Sequence, residues 1–149
     1  MTQPPPDVVG RPLQELRELA AACTNCRLYE HAYVTNLVKH FKFTQRGKRR
    51  IHAKPDGTEI AACRPWLDGE IAAVGPEVVV ALGATAAKAL LGSGFRVTKQ
   101  RGEIIERDGL RYTATVHPSA VLRLDDEPRR AAFADLVDDL EAVAALLEG

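Results

Sequence analysis

The chain has three cysteines, Cys23, Cys26 and Cys63. Cys23 and Cys26 stand at C-x-x-C spacing, which serves half a zinc site or a redox pair. An odd cysteine count with no secretory leader argues against a disulfide framework and for metal ligation or free thiols. Cys63 offers a third thiolate, and His40 offers an imidazole close to a strand end. Three thiolates with one imidazole suit tetrahedral zinc, and thiolate-rich sites also hold iron–sulfur clusters. Spacing alone puts zinc first. The competing reading of Cys63 is a small buried residue on the apolar face of a helix.

A second chemical signal is charge. The 20 basic and 20 acidic residues cancel, but they are not mixed. From Lys39 to Lys54 every charged residue is basic: Lys39, Lys42, Arg46, Lys48, Arg49, Arg50 and Lys54. From Asp125 to Glu148 only Arg129 and Arg130 oppose the acids. A local cationic run inside a neutral chain is the footprint nucleic acid needs, and it is also what a solvated loop looks like.

These residues need elements to position them. Pro12 to about Leu28 reads as a helix through Leu13, Leu16, Leu19 and Ala20. Tyr33–Val38 reads as a short strand and Lys39–Pro55 as a basic loop. Thr58 reads as the N-cap of a helix reaching Ala73, with Ile60, Cys63, Leu67 and Ile71 on one face. Val78–Leu82 is an unbroken apolar run, expected of a parallel strand buried on both faces. After Gly83, a helix over Ala84–Leu91 ends at Gly92. Glu103–Glu106 and Leu110–Val116 flank Asp108-Gly109, a hairpin turn. Pro128–Leu147 is the last helix, with Phe133, Leu136, Val137, Leu140, Val143, Ala144 and Leu147 as its buried stripe.

Helices alternating with short apolar strands give an α/β class with a largely parallel sheet. Ligands of such sheets sit beyond the C-terminal strand ends, which directs attention to Asn36, Gly83 and His117. Gly83, Ala84 and Thr85 place backbone N–H groups at a helix start, suited to a phosphate. The 149 residues suit one domain. We expect residues 1–11 to be a disordered lead-in and residues 12–149 to form the domain. No run of roughly 18 apolar residues is present, so nothing is expected to span a membrane. A monomer in the cytoplasm is the expectation.

Three segments read together carry a resemblance: Tyr33-Val-Thr-Asn-Leu-Val-Lys-His-Phe-Lys-Phe43, Ala62-Cys-Arg-Pro-Trp-Leu67 and Val116-His-Pro-Ser119. They resemble the iron–sulfur uracil-DNA glycosylases. Lys48-Arg-Arg-Ile-His52 is similar to the insertion loop of the UdgX type, which becomes covalently linked to uracil-DNA. Val78-Val-Val-Ala-Leu-Gly-Ala-Thr85 is similar to the family's third core strand and turn. The resemblance implies a three-layer αβα fold with a short, mainly parallel sheet. It also reverses the preference for zinc, implying a 4Fe–4S cluster held by Cys23, Cys26, His40 and Cys63.

Carried over residue by residue, Asn36 matches the asparagine that reads uracil. An amide pairs with uracil O4 and N3–H, whereas cytosine reverses the pattern. His117 matches a catalytic histidine that hydrogen-bonds the uracil oxygen gaining charge as the glycosidic bond breaks. His52 matches the histidine that attacks the sugar C1′. Lys48, Arg49 and Arg50 become DNA contacts, as do Gly83, Thr85, Ser119 and Arg123, with Leu122 as an apolar wedge.

The chain departs from the family between about residues 27 and 33. There the family carries its first core strand, a Gly-Glu-Gln-Pro-Gly motif and a helix. Here Cys26-Arg-Leu-Tyr-Glu-His-Ala runs straight into Tyr33. The shortening implies low stability and weak activity. Three readings follow: an enzyme that excises uracil from single- or double-stranded DNA and crosslinks to the site; a degenerate homologue that only binds DNA; and a zinc-stabilised protein of unrelated function.

Overall fold

The computed structural model describes residues 32–148. The lead-in, the first expected helix, Cys23 and Cys26 lie outside the described residues. The chain divides into two units, Met1–Asn36 and Leu37–Gly149. All the elements below belong to the second.

The stretch expected as the first strand does not join a sheet. Residues 32–36 have no regular structure and 37–40 form bends. Val34 is 85% exposed. A β-prone sequence becomes a strand only where a neighbouring strand and a buried face receive it, and residues 32–36 are all exposed.

The expected basic loop is instead a hairpin. β1 (Phe43–Arg46) and β2 (Arg49–His52) pair antiparallel, with Phe43 opposite His52 and Arg46 opposite Arg49. Gly47 takes φ 57° at the first position of the two-residue turn, where II′ turns call for glycine. Both strands are exposed throughout, so they carry no alternation of apolar and polar residues.

The N-cap of α1 (Gly57–Val74) falls two residues before the expected one. Asp56, not Thr58, is the N-cap: its carboxylate accepts from the N–H groups of Thr58 and Glu59, and Glu59 returns a bond to the Asp56 N–H. A carboxylate satisfies two orphan amides in this box. Lys42, at the foot of the hairpin, reaches the same box, 3.0 Å from Asp56 and 2.7 Å from Glu59.

β3 (Val78–Leu82), α2 (Ala84–Leu91), α3 (Val97–Gln100), β4 (Ile105–Arg107), β5 (Leu110–Thr115), α4 (Pro118–Val121) and α5 (Asp126–Glu148) complete the described chain. The sheet order is β3-β5-β4. β3–β5 is parallel and β4–β5 is the expected Asp108-Gly109 hairpin, so the small sheet keeps the expected parallel pair and adds one antiparallel edge strand. The parallel pair buries Ala81 and Ala114 against Leu67 of α1, Ala87 and Leu90 of α2, and Phe95 and Val97. On the other face the Thr115 hydroxyl donates to Asp139 of α5. Helices thus cover both faces of the sheet, an α/β arrangement.

α5 corrects the expected stripe. Leu136, Asp139 and Val143 are its buried residues, while Phe133 is 59% and Leu140 43% exposed. Asp139 decides this. It is buried, receives Thr115, and forms an ion pair with Arg101 at 2.8 Å. A charge is buried only when paired, so this pair fixes which face of the helix turns inward. Asp139 lies one residue from Leu140, and the apolar stripe that includes Leu140 is left outside.

Candidate functional site

β3 and β5 run parallel and adjacent, so Gly83 and His117 leave the sheet at the same edge. The register aligns Leu82 with Thr115. Gly83 donates its N–H to the Thr115 carbonyl at 2.8 Å. A β-carbon placed on Gly83 would lie 2.9 Å from the Cβ of His117. Gly83 also takes φ 87°, in the left-handed region, where side chains are strained. The glycine therefore lets the two strand ends close up, and the His117 Cβ sits directly on it.

The imidazole is oriented by its own loop. His117 is the N-cap of α4, and its Nδ1 accepts the Ser119 N–H at 3.1 Å. The Ser119 hydroxyl lies 2.8 Å from the same nitrogen. A backbone N–H only donates, so Nδ1 is the acceptor and the neutral ring carries its proton on Nε2. His117 is exposed. The result is a hydrogen-bond donor held at the C-terminal edge of two parallel strands. The loop beyond α4 exposes Leu122, at 73%, and Arg123.

The hairpin holds the second set. Residues two apart share a face of a strand, so Phe43, Gln45, Arg50 and His52 lie together. The Arg50 guanidinium stands 4.7 Å from the centre of the Phe43 ring. Phe41 stacks on Phe43 at 5.9 Å and lies 5.3 Å from the His52 ring. His52 is thus exposed beside two aromatic rings. Phe41 and Phe43 were not singled out from sequence, because aromatic residues in a supposed loop give no register. On the other face Arg46 and Arg49 are directly opposed. Like charges so placed repel, and neither has an ion-pair partner among the described residues.

The basic run is therefore of two kinds. Lys39 pairs with Glu70 at 2.6 Å, and Lys42 pairs with the helix cap. Lys42 is held protonated by hydrogen bonds first to Glu59 and then to Asp56, which raise its pKa. The Asp56 carboxyl is held below the usual carboxylate range, first by the Glu59 N–H and then by Lys42. Lys48, Arg49 and Arg50 remain available to an anion.

The remaining expected residues lie as follows. Asn36 is exposed, in backbone without regular structure. Thr85, in the first turn of α2, is half-buried. His40 is exposed, and Cys63 is a half-buried free thiol on α1. Among the described residues no three His, Cys, Asp or Glu side chains gather as a metal site, and two of the four expected ligands lie outside them. No helix among the described residues is long and apolar enough to cross a membrane.

Fold and site define an α/β domain with a histidine at its strand-end edge and a cationic hairpin. The family model of the uracil DNA glycosylase superfamily matches residues 7–141, and the chain belongs to that superfamily. It is 36% identical over 110 residues to the type-4 uracil-DNA glycosylase of Thermotoga maritima, covering 72% of this chain and 54% of that protein. It is 39% identical over 69 residues to the type-5 uracil-DNA glycosylase of Pyrobaculum aerophilum, covering 44% and 30%. A DNA polymerase of Bacillus phage SP01 is 29% identical over 120 residues, covering 80% of this chain and 12% of the polymerase. The chain spans about half the length of the type-4 relative and less of the other two. Membership in this superfamily sets aside the reading of an unrelated zinc-stabilised protein.

Proposed function

We propose that this chain recognises uracil in DNA, cleaves the uracil N-glycosidic bond and acts in DNA repair as a monomer of the UdgX type. The observation that carries the reading is the His117 corner, with the His117 Cβ against Gly83 and its Nδ1 held by Ser119, in a chain of this superfamily. A uracil flipped out of the stack accepts from Nε2–H on the oxygen that gains charge as the C1′–N1 bond breaks. The bonding pair leaves with the base, which takes a proton from water. Asn36 supplies the amide that pairs with O4 and N3–H. Lys48, Arg49 and Arg50 neutralise backbone phosphates, and the opposed Arg46–Arg49 pair gains most from such an anion. Thr85, the Gly83 turn, Ser119 and Arg123 contact the strand on the other side of the base.

His52 gives this reading its covalent end point. The neutral imidazole donates a lone pair to C1′, the new nitrogen–carbon bond forms, and the ring N–H proton passes to solvent. Such a bond resists hydrolysis, so the protein stays on the site.

Cys23, Cys26, His40 and Cys63 form a thiolate-rich donor set, and the free thiol of Cys63 fits ligation. Its occupant in this reading is a 4Fe–4S cluster, with zinc as the alternative. The bound group supplies a structural cross-link and takes no part at the base. Protein purified without oxygen is brown with the cluster and colourless with zinc.

A second reading is a degenerate, DNA-binding homologue. It is favoured by the lack of a Gly-Glu-Gln-Pro-Gly sequence anywhere in the chain. Among the described residues β3 pairs only with β5, in keeping with an internally shortened domain. Incubation with uracil-containing single-stranded and duplex DNA separates the two readings. The first gives free uracil and a complex that survives denaturing electrophoresis, lost in His52→Ala. DNA binding with neither product supports the second.

A further inference from the structure

The chain entering β1 partitions its side chains against the usual rule. Ala53 donates its N–H to the Lys42 carbonyl at 2.9 Å, which continues the hairpin ladder one step beyond Phe43 and His52. Side chains two apart on an extended strand share a face, so Phe41 and Phe43 lie on one side and Lys42 on the other. It is the charged residue that turns inward, to Asp56 and Glu59 of the α1 cap at 3.0 and 2.7 Å. The two phenyl rings stay outside, Phe41 61% and Phe43 39% exposed. Exposed apolar surface gathered in one place marks a contact site more than scattered apolar residues do, and here a salt-bridged lysine holds it outward.

The rings are ordered. Phe41 and Phe43 stack with 20° between their planes and 5.9 Å between their centres. The Arg50 guanidinium stands 4.7 Å from the centre of Phe43, and the His52 ring 5.3 Å from that of Phe41. Four flat groups thus gather on one exposed face of the hairpin. On the same hairpin Arg46, Lys48, Arg49 and Arg50 have no ion-pair partner among the described residues. Flat apolar faces beside uncompensated cations complement a polyanion that carries flat bases. Any base stacks on an aromatic ring through its π-face, and arginine adds a cation–π contribution. In a duplex those faces are already stacked on one another, so only an unpaired strand offers them.

We propose that Phe41 and Phe43 form a stacking platform for an unpaired nucleobase, which makes single-stranded DNA the preferred form of the substrate. The base rests on the rings while Arg46, Lys48 and Arg49 neutralise the flanking phosphates. Because His52 adjoins Phe41, the stacked nucleotide is held beside that imidazole. The proposal rests on the reading of the chain as a DNA-binding glycosylase and deepens it by naming the form of DNA it takes.

The test is affinity for a uracil-free single-stranded oligonucleotide and for its duplex, measured by fluorescence anisotropy on the full chain. The wild type is expected to bind the single strand more tightly. Phe41→Leu with Phe43→Leu keeps apolar bulk and removes the flat faces. It is expected to weaken single-strand binding roughly 5- to 150-fold, the loss of one stacked base, and to leave duplex binding unchanged. The slope of log affinity against log salt is expected to stay the same, because no phosphate contact is lost. The double Phe→Tyr variant is expected to keep wild-type affinity. Unchanged single-strand binding in the Leu variant, or an equal loss on the duplex, overturns the platform alone. A reduced salt slope in the Leu variant does the same, because the rings then only hold the cations in place. So does a loss in the Tyr variant as large as in the Leu variant. Absence of wild-type binding to both forms overturns the DNA-binding reading and the platform with it.

Discussion

Gly83 and His117 meet at the end of two parallel strands, with room between them for a hydrogen and not for a methyl group: the β-carbon would approach to 2.9 Å. The contact partner is the His117 Cβ, which cannot swing away as the tip of a flexible side chain would. Gly83→Ala must therefore shift the backbone that carries the imidazole. The left-handed φ adds strain of about 1–3 kcal/mol. The expected outcome is a lower urea midpoint together with a loss of uracil release of roughly 100-fold, the order expected for a misplacement near 1 Å. An unchanged midpoint and rate would show that the two strand ends are not held against each other.

The hairpin foot depends on pH through Lys42 and Asp56. Asp56 has a lowered pKa in the fold, so its contribution is present above the ordinary carboxylate range and is lost as pH falls through the lowered value. Lys42 has a raised pKa, so its contribution is present below the ordinary lysine value and is lost only as pH rises through the raised one. Asp56→Asn keeps an oxygen for the helix cap but removes the titration. Its urea midpoint is expected to fall less than that of the wild type between neutral pH and about pH 3. Both groups are solvent-exposed, so the difference is expected to be small and to shrink in salt. Identical acid limbs in the two proteins would remove Asp56 from the account.

The two apolar faces of α5 are expected to differ sharply. Leu136 is 7% exposed and Leu140 is 43%. Leu136→Ala should cost about 2–5 kcal/mol by opening a cavity. Leu140→Ala should stay within about 0.5 kcal/mol of the wild type. Denaturant melts of the two variants measure this directly, and equal losses would mean that the outer stripe is covered.

Where local chemistry settles the conformation, sequence and structure agree. Asp108-Gly109 dictates its own turn, Val78–Leu82 forms the expected parallel strand although only Ala81 is fully buried, and Gly92 stops α2. Where tertiary context decides, they part. α5 has two adjoining apolar faces, and periodicity does not say which meets the sheet; the Arg101–Asp139 pair, with partners 38 residues apart, does. β1 and β2 carry no alternation because neither face is buried, so only the Gly47-Lys48 turn hinted at a hairpin. Tyr33–Val38 has strand propensity but forms no strand. The site divides in the same way. The strand-end rule located Gly83 and His117, but their contact belongs to the register of β3 against β5. The rings of Phe41 and Phe43 beside His52 follow from a hairpin that the sequence did not announce.

The central claim is that His117 promotes cleavage of the uracil glycosidic bond. Free uracil released from a uracil-containing single-stranded oligonucleotide, with protein in excess so that one slow turnover is visible, tests it most directly. The wild type is expected to release uracil. His117→Ala is expected to do so roughly 100- to 1000-fold more slowly, as when a single oxyanion donor is removed, with its affinity for uracil-free DNA unchanged. Equal release by the two proteins, or none by the wild type while it binds the DNA, would contradict the account.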